Sequence, residues 1–429
     1  MSTAPLSDLE RRVLDHLDPD RLIDDLTGLV RRPSVSGTRA EVEVQDDMAG
    51  LLAEAGARVD AWDIDLPQIT SDPWFPGAEV EREAAKGVVG VVGGAPDDAP
   101  ALALNGHVDV VPVGDPEAWL GQDPFSGEVF DGAVHGRGTA DMKAGVAANV
   151  AVVRTLAAAG IRLERPLAVH SVIGEEDGGL GTFATLRRGH RADTCVITEP
   201  TRGRLIIANA GALTFRIEVV GASAHGSLRK QGVSAIEAFW PIFDRLRDLE
   251  TERNLDRDPL FEDRDLPYSI SIGTINAGDW SSSVPDRLVA EGRYGVRLDE
   301  DPRIARTAFE DAVNEVSIKH DWLREHRPVV TWPGGQFASG RLSIEHPLVE
   351  ETRAAVVDAG LAAPSRVAEV YGSDLRLYAG IGGVPTLHYG PGDLNQAHAP
   401  GEHVAVEETV AVARALTVLA LRRCGVVEA

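Results

Sequence analysis

The side chains best suited to chemistry in this 429-residue sequence are histidines and carboxylates in short, spaced stretches. His107 and Asp109 stand two apart in Asn105-Gly106-His107-Val108-Asp109-Val110-Val111-Pro112, directly after the apolar run Ala101-Leu102-Ala103-Leu104. That run reads as a buried strand opening into a loop. Alternate strand residues share a face, so the two side chains point the same way. The spacing lets Asp109 accept the free ring N–H of a metal-bound His107 and fix its tautomer. Asp141, the doublet Glu175-Glu176, Glu199 and His398 extend the set. Each lies where a predicted strand ends or a loop follows, and open α/β sheets collect ligands at the carboxyl ends of strands. Imidazole and carboxylate donors without thiolate suit zinc, cobalt or manganese. Two such ions ~3.5–4 Å apart polarise a carbonyl and acidify a bridging water. A spare carboxylate must then carry the proton to the leaving nitrogen. The Glu175-Glu176 doublet has one residue for a ligand and one for a base, because adjacent side chains point in different directions.

The elements that must position these residues alternate between helix and strand. Leu6 to Arg32 has helical spacing, and a second helix runs to Ala55 before Gly56. Strands are expected at Ala57–Ile64, Gly87–Val92, Ala101–Leu104, Leu167–Ile173 and Thr194–Thr198, with a nearly all-apolar helix at Ala144–Ala159. The expected fold class is therefore α/β, a mostly parallel sheet with helices on both faces. Pro67 to Glu83, rich in proline around Trp74-Phe75, reads as a surface excursion. After Gly203 the order becomes strand, helix, strand, strand, helix, strand, the split pattern of an α+β sandwich. After Gly334-Gly335 the α/β style resumes. The expected domains are residues 1–211 and 333–429, together one catalytic domain, with an inserted second domain at 212–332.

Composition narrows the functional classes. The formal charge of −25 argues against nucleic-acid or anionic-membrane partners. No apolar run approaches the ~18–20 residues of a membrane span, and the N-terminal stretch is unlike a signal peptide, so a cytoplasmic location is expected. Cys195 and Cys424 sit in apolar surroundings and are expected as buried free thiols. Gly136-Arg137-Gly138 is too short for a phosphate loop, which excludes a nucleotide-binding reading. His16, His190, His320, His326 and His346 lie in charged segments and are assigned no role, and His170 is expected in the core.

The ordered motifs Gly106-His107-Val108-Asp109, Gly136-Arg137-Gly138-Thr139-Ala140-Asp141-Met142-Lys143, Gly174-Glu175-Glu176-Asp177-Gly178-Gly179, Thr198-Glu199-Pro200 and His398-Ala399-Pro400-Gly401-Glu402 resemble those of the dinuclear zinc amidohydrolases and metallopeptidases. That family includes acetylornithine deacetylase, succinyl-diaminopimelate desuccinylase, aminoacylase and glutamate carboxypeptidase. The resemblance implies a zinc exopeptidase-like fold with a lid and dimerisation domain. It implies two divalent metals, zinc with cobalt or manganese as substitutes. Asp141 bridges them, with His107 and Glu199 on one and Glu176 and His398 on the other. Glu175 becomes the general base, Asp109 the group that orients His107, and the peptide after Asp141 is cis.

In the inserted domain, Gly221-Ala222-Ser223-Ala224-His225-Gly226 resembles the lid motif whose histidine steadies the oxyanion in the partner subunit's site, which implies a homodimer. Asn276 resembles a lid residue that approaches substrate. Tyr371-Gly372-Ser373-Asp374-Leu375-Arg376 resembles a loop that grips the substrate carboxylate, with Gly372 and Ser373 in the loop and Arg376 as the charged fork. The implied activity is hydrolysis of an N-acyl amino acid by a metal-bridging hydroxide. The alternative is a carboxypeptidase or dipeptidase of the same family, with a metal-free binding relative as a third reading.

Overall fold

In the computed structural model, which describes residues 6–95 and 97–427, the chain forms two compact units. The first comprises the chain up to Ile207, Arg341–Val367, and the chain from Ser373. The second comprises Ala208–Gly340 and Ala368–Gly372. Among the described residues no helix is long and apolar enough to cross a membrane. Cys195 and Cys424 are both buried and unpaired.

The first unit is built on a mixed sheet. Side by side lie Arg58–Asp63, Lys86–Val92, Leu167–Val172, Leu102–His107, Cys195–Pro200 and Thr386–Gly390, and next to the last of these Leu205–Asn209, of which Leu205–Ile207 belongs to this unit. The four central strands, Leu167–Val172 to Thr386–Gly390, are parallel. The strands outside them are antiparallel, so the expected parallel character belongs to the centre of the sheet. Every residue of Leu102–His107, Leu167–Val172 and Cys195–Pro200 is buried, as continuous apolar runs under helices require. The apolar helix Ala144–Ala158 packs between helices Pro19–Val30 and Val406–Cys424 and against the strands Leu102–His107 and Cys195–Pro200. Gly145 permits that approach: a Cβ there would lie 2.0 Å from the Thr198 carbonyl oxygen. The head of this helix, next to Asp141, is thereby pressed onto the strand end that carries Glu199.

The second unit has an antiparallel sheet in the order Ile270–Ala277, Arg287–Val296, Gly211–Val220, Val329–Thr331. Gly211–Val220 alternates buried and half-buried residues, the mark of a sheet covered on one face. Helices Ala235–Arg253 and Pro302–Lys319 pack together, and Phe215, Phe239, Phe309 and Tyr294 fill the shared core. This is the α+β insertion the strand and helix order predicts.

The segment Pro67 to Glu83 is mostly exposed, as expected of a surface excursion, but two of its side chains turn inward. Trp74 is exposed, but Phe75 packs edge-on against Phe183 and the Arg82 side chain is only 2% exposed. Its prolines and charges concealed two inward anchors that carry no periodic signal.

Candidate metal centre

The ends of two parallel strands, which carry His107 and Glu199, and the turns and loops beside them bring together the six expected ligand and base residues. His107 closes the strand Leu102–His107 and is 1% exposed. Its Nε2 faces Asp141 Oδ1 at 3.2 Å and Glu199 Oε1 at 3.7 Å. The other Asp141 oxygen, Oδ2, lies 3.6 Å from His398 Nε2. That same nitrogen is 3.2 and 3.1 Å from the two oxygens of Glu176. Asp141 thus turns one oxygen to each histidine. The peptide between Asp141 and Met142 is cis. Two sets of donor atoms lie within 4.8 Å of one another: His107 with Asp141 and Glu176, and His107 with Glu175 and Glu199.

The electrostatics of the cluster favour added positive charge. Burial pushes Glu175 well above the ordinary carboxylate range, and the Asp374 carboxylate adds to the shift. Burial raises Glu199 too, reinforced by Asp141. Glu176 is pushed up to about 6, by burial first and then by Asp141. The hydrogen bond to Glu176 raises His398 to about 9. Burial opposes a charge on His107, but Glu199, Asp141 and Asp109 outweigh it and raise that group also. Four carboxyl groups, those of Asp141, Glu175, Glu176 and Glu199, face two imidazoles, more than the imidazoles could balance with all four ionised, and these imidazole and carboxylate donors fit two divalent cations.

Asp109 plays a different part from the one the spacing suggests. His107 Nδ1 meets the backbone carbonyl of Asp109 at 2.9 Å, whereas the carboxylate is 3.6 Å away. The carbonyl meets the ring just past the end of the strand Leu102–His107, where the chain goes on to pair through Val110 with Ser34. The carboxylate instead accepts the backbone N–H groups of Glu175 and Glu176, each at 3.3 Å, and the Ser36 hydroxyl at 3.1 Å. It therefore holds the glutamate doublet.

Three further residues of the sequence motifs support the ligands. Arg137 and Glu402 form a buried pair at 2.6 Å. The second Glu402 oxygen accepts the N–H groups of Ala140 and Asp141 at 3.0 and 3.1 Å, and Arg137 donates to the His398 carbonyl at 3.3 Å. The pair ties the Asp141 stretch to the His398 stretch. Lys143, fully buried, donates to the carbonyls of Leu29 and Arg32 at 3.0 and 2.8 Å, capping the helix Pro19–Val30. The signal available in the sequence is a charge inside the Asp141 motif and inside the His398 motif.

The expected carboxylate grip is turned inward. Arg376 is 5% exposed, and its guanidinium donates to the carbonyls of Ser373 and Gly178, both at 2.7 Å. The Ser373 hydroxyl is buried against His388 Nε2 at 3.1 Å. Gly372 has a packing reason, since a Cβ there would lie 2.5 Å from the Phe337 side chain. The loop reads as a charged fork in sequence because the backbone carbonyls that take up its donors leave no sequence pattern. In the second unit His225 and Asn276 are both exposed. The His225 ring is fixed through Nδ1 by Ser227, at 2.8 Å from the hydroxyl.

Comparison with known proteins agrees with this geometry. The profile of Peptidase family M20/M25/M40 matches residues 103–422. An N-formyl-4-amino-5-aminomethyl-2-methylpyrimidine deformylase of Bacillus subtilis is 31% identical over 388 residues, 86% of each chain. A probable carboxypeptidase of Trichophyton verrucosum is 30% identical over 72% of this chain and 67% of its own. The solved structure of the di-peptidase Dug1p of Saccharomyces cerevisiae superposes with a TM-score of 0.76 at 14% identity, covering 97% of this chain and 98% of that one.

Proposed function

The chain belongs to peptidase family M20/M25/M40, a metal-dependent hydrolase of amide or peptide bonds, and we propose that it acts on short peptides as a carboxypeptidase or dipeptidase. This places the peptidase alternative ahead of N-acyl amino acid deacylation. The family it belongs to and the 30% identical carboxypeptidase support that order. The observation that carries the reading is the Asp141 carboxylate shared between two histidines, with the buried Glu175 carboxyl beside it.

His107, Asp141, Glu176, Glu199 and His398 would hold the metals. Two divalent cations, when bound in such a centre, supply carbonyl polarisation and acidification of water. Glu175 takes the proton of the attacking water on a carboxylate oxygen and returns it to the leaving nitrogen, so the scission yields a free acid and a free amine. Asp109 sets the direction of the Glu175 and Glu176 backbone. His398, with its side chain 52% exposed, marks the open side of the cluster. His225 and Asn276 are proposed as substrate-facing groups of a homodimer assembled through the inserted unit, with His225 donating to the oxyanion.

A second reading has its own support. The 31% identical deformylase covers most of both chains, and Arg376, the expected carboxylate fork, is occupied by backbone carbonyls. A formylated amine without a carboxylate would suit that arrangement.

One panel separates the readings: metal-loaded protein with dipeptides, N-acetyl, N-succinyl and N-formyl amino acids, and an N-formyl aminomethylpyrimidine. Turnover of dipeptides ahead of the rest supports the proposal. Turnover of the formylated amine alone transfers the conclusion to the second reading, and no turnover of any member overturns both.

A further inference from the structure

Arg82 and Glu41 precede the segment matched to the family, yet they form one of the most enclosed charge clusters of the first unit, with side chains 2% and 0% exposed. One edge of the Arg82 fork holds Glu41, from Nε to Oε2 and from Nη2 to Oε1, both at 2.9 Å. The other holds Asp177, from Nη1 to Oδ2 and from Nη2 to Oδ1, both at 2.8 Å. Asp177 directly follows the Glu175-Glu176 doublet. Its carboxylate also accepts the N–H groups of Glu79 and Val80 at 3.2 Å. Glu41, on the helix Ala40–Glu54, is anchored by the Gly37 N–H at 2.8 Å. The backbones meet as closely as the side chains. A Cβ on Gly178 would lie 2.3 Å from the Gly77 carbonyl oxygen, and one on Gly174 would lie 3.0 Å from Arg82 Nη2.

We propose that Arg82 is a positioning residue for the reaction: its double fork braces the turn Gly174–Gly179 against a helix and so sets the attitude of the Glu175 carboxyl. The inference rests on Glu175 being the general base. The turn needs bracing because Gly174, Gly178 and Gly179 all have positive φ and little intrinsic conformational preference. A lysine, as a point charge on a flexible stem, does not reproduce two bidentate contacts.

The test compares the full-length, zinc-loaded wild type with Arg82→Ala, Arg82→Lys and Glu175→Gln on the best substrate of the panel. Misplacing a catalytic group by about 1 Å costs roughly 10²-fold, so kcat should fall by about that factor in Arg82→Ala with KM little changed. Arg82→Lys should show an intermediate loss. Guanidinium ion, added below denaturing concentration, should restore kcat to Arg82→Ala and leave Glu175→Gln inactive. Amide hydrogen exchange of the peptide spanning Gly174–Leu180, a readout independent of turnover, should speed up about tenfold in Arg82→Ala. Should that variant not fold, Arg82→Lys and Asp177→Asn carry the same readouts. A folded Arg82→Ala with wild-type kcat, or with lost kcat but unchanged exchange and no guanidinium response, overturns the proposal. Wild-type turnover in Glu175→Gln overturns the general-base reading instead, and with it the catalytic role of Arg82.

Discussion

Replacing Glu402 with glutamine tests whether the Arg137–Glu402 pair joins the two halves of the metal centre. Glutamine keeps one oxygen for the N–H groups of Ala140 and Asp141, but turns an amide NH2 toward the guanidinium that now lies 2.6 Å from a carboxylate. A donor then faces a donor, and a buried Arg137 charge loses its counterion. Breaking a buried pair by removing one partner costs about 3–5 kcal/mol. Unfolding entropy of about 2.1 cal/mol/K per residue, over a unit of roughly 290 residues, comes to about 0.6 kcal/mol/K. The expected fall in Tm is therefore about 5–8 °C, read by calorimetry on metal-free protein so that metal binding does not mask it. Zinc affinity should fall about 10–100-fold by competition with a chromophoric chelator, because the backbone of Asp141 and of His398 loses its shared anchor. Arg137→Met combined with Glu402→Gln removes the stranded charge and should recover part of the lost stability. A Tm within about 1 °C of wild type in the single variant, or no recovery in the double, would refute a coupled buried pair.

Other consequences are open to direct measurement. Glu175→Gln should keep two metals per chain while losing about 10²–10⁴ in kcat; near-normal turnover would put the base elsewhere. Exhaustive chelation should abolish amide hydrolysis and zinc or cobalt should restore it, whereas activity in demonstrably metal-free protein would sink the mechanism. Mixing His225→Ala subunits with Glu175→Ala subunits should regain activity if the histidine serves the partner's site; none after proven exchange would place it in its own chain. The last prediction concerns pH. Burial holds His170 and His388 at about 3, against an ordinary 6.5. Between those values the unfolded chain binds protons that the folded chain does not. The stability these residues contribute is thus complete above pH 6.5 and declines as pH falls below it, by about 1.4 kcal/mol per pH unit for each histidine. At pH 5 that is about 2 kcal/mol each. Urea unfolding of His388→Asn should show a correspondingly flatter loss, and a slope identical to wild type would count against a neutral buried His388.

How far the sequence spoke depended on whether a residue's role is written locally. His107 and Glu199 were legible because each ends a short apolar run, and a strand that is buried along its length announces where its carboxyl end opens. The split order of the inserted unit was legible for the same reason, since alternating burial along Gly211–Val220 is a local pattern. Asp109 is legible only in part: the strand period places it beside His107, but that its carbonyl rather than its carboxylate meets the ring follows from the partners that claim the carboxylate, Ser36 and the Glu175 and Glu176 N–H groups, which lie far away in sequence. Arg376 and Arg82 then exchanged their apparent roles. Arg376 stood in a motif that suggested an exposed fork, and its donors go to Ser373 and Gly178 carbonyls. Arg82 stood among prolines and acids that suggested solvent, and its partners lie 41 and 95 positions away. A guanidinium is buried only where its acceptors converge, and convergence over such separations is a property of the assembled sheet and its loops. The same reasoning explains why the ligands were easier to find than what holds them. The ligands His107 and Glu199 end buried strands, which have a sequence signature, while a residue that braces a ligand needs only a partner.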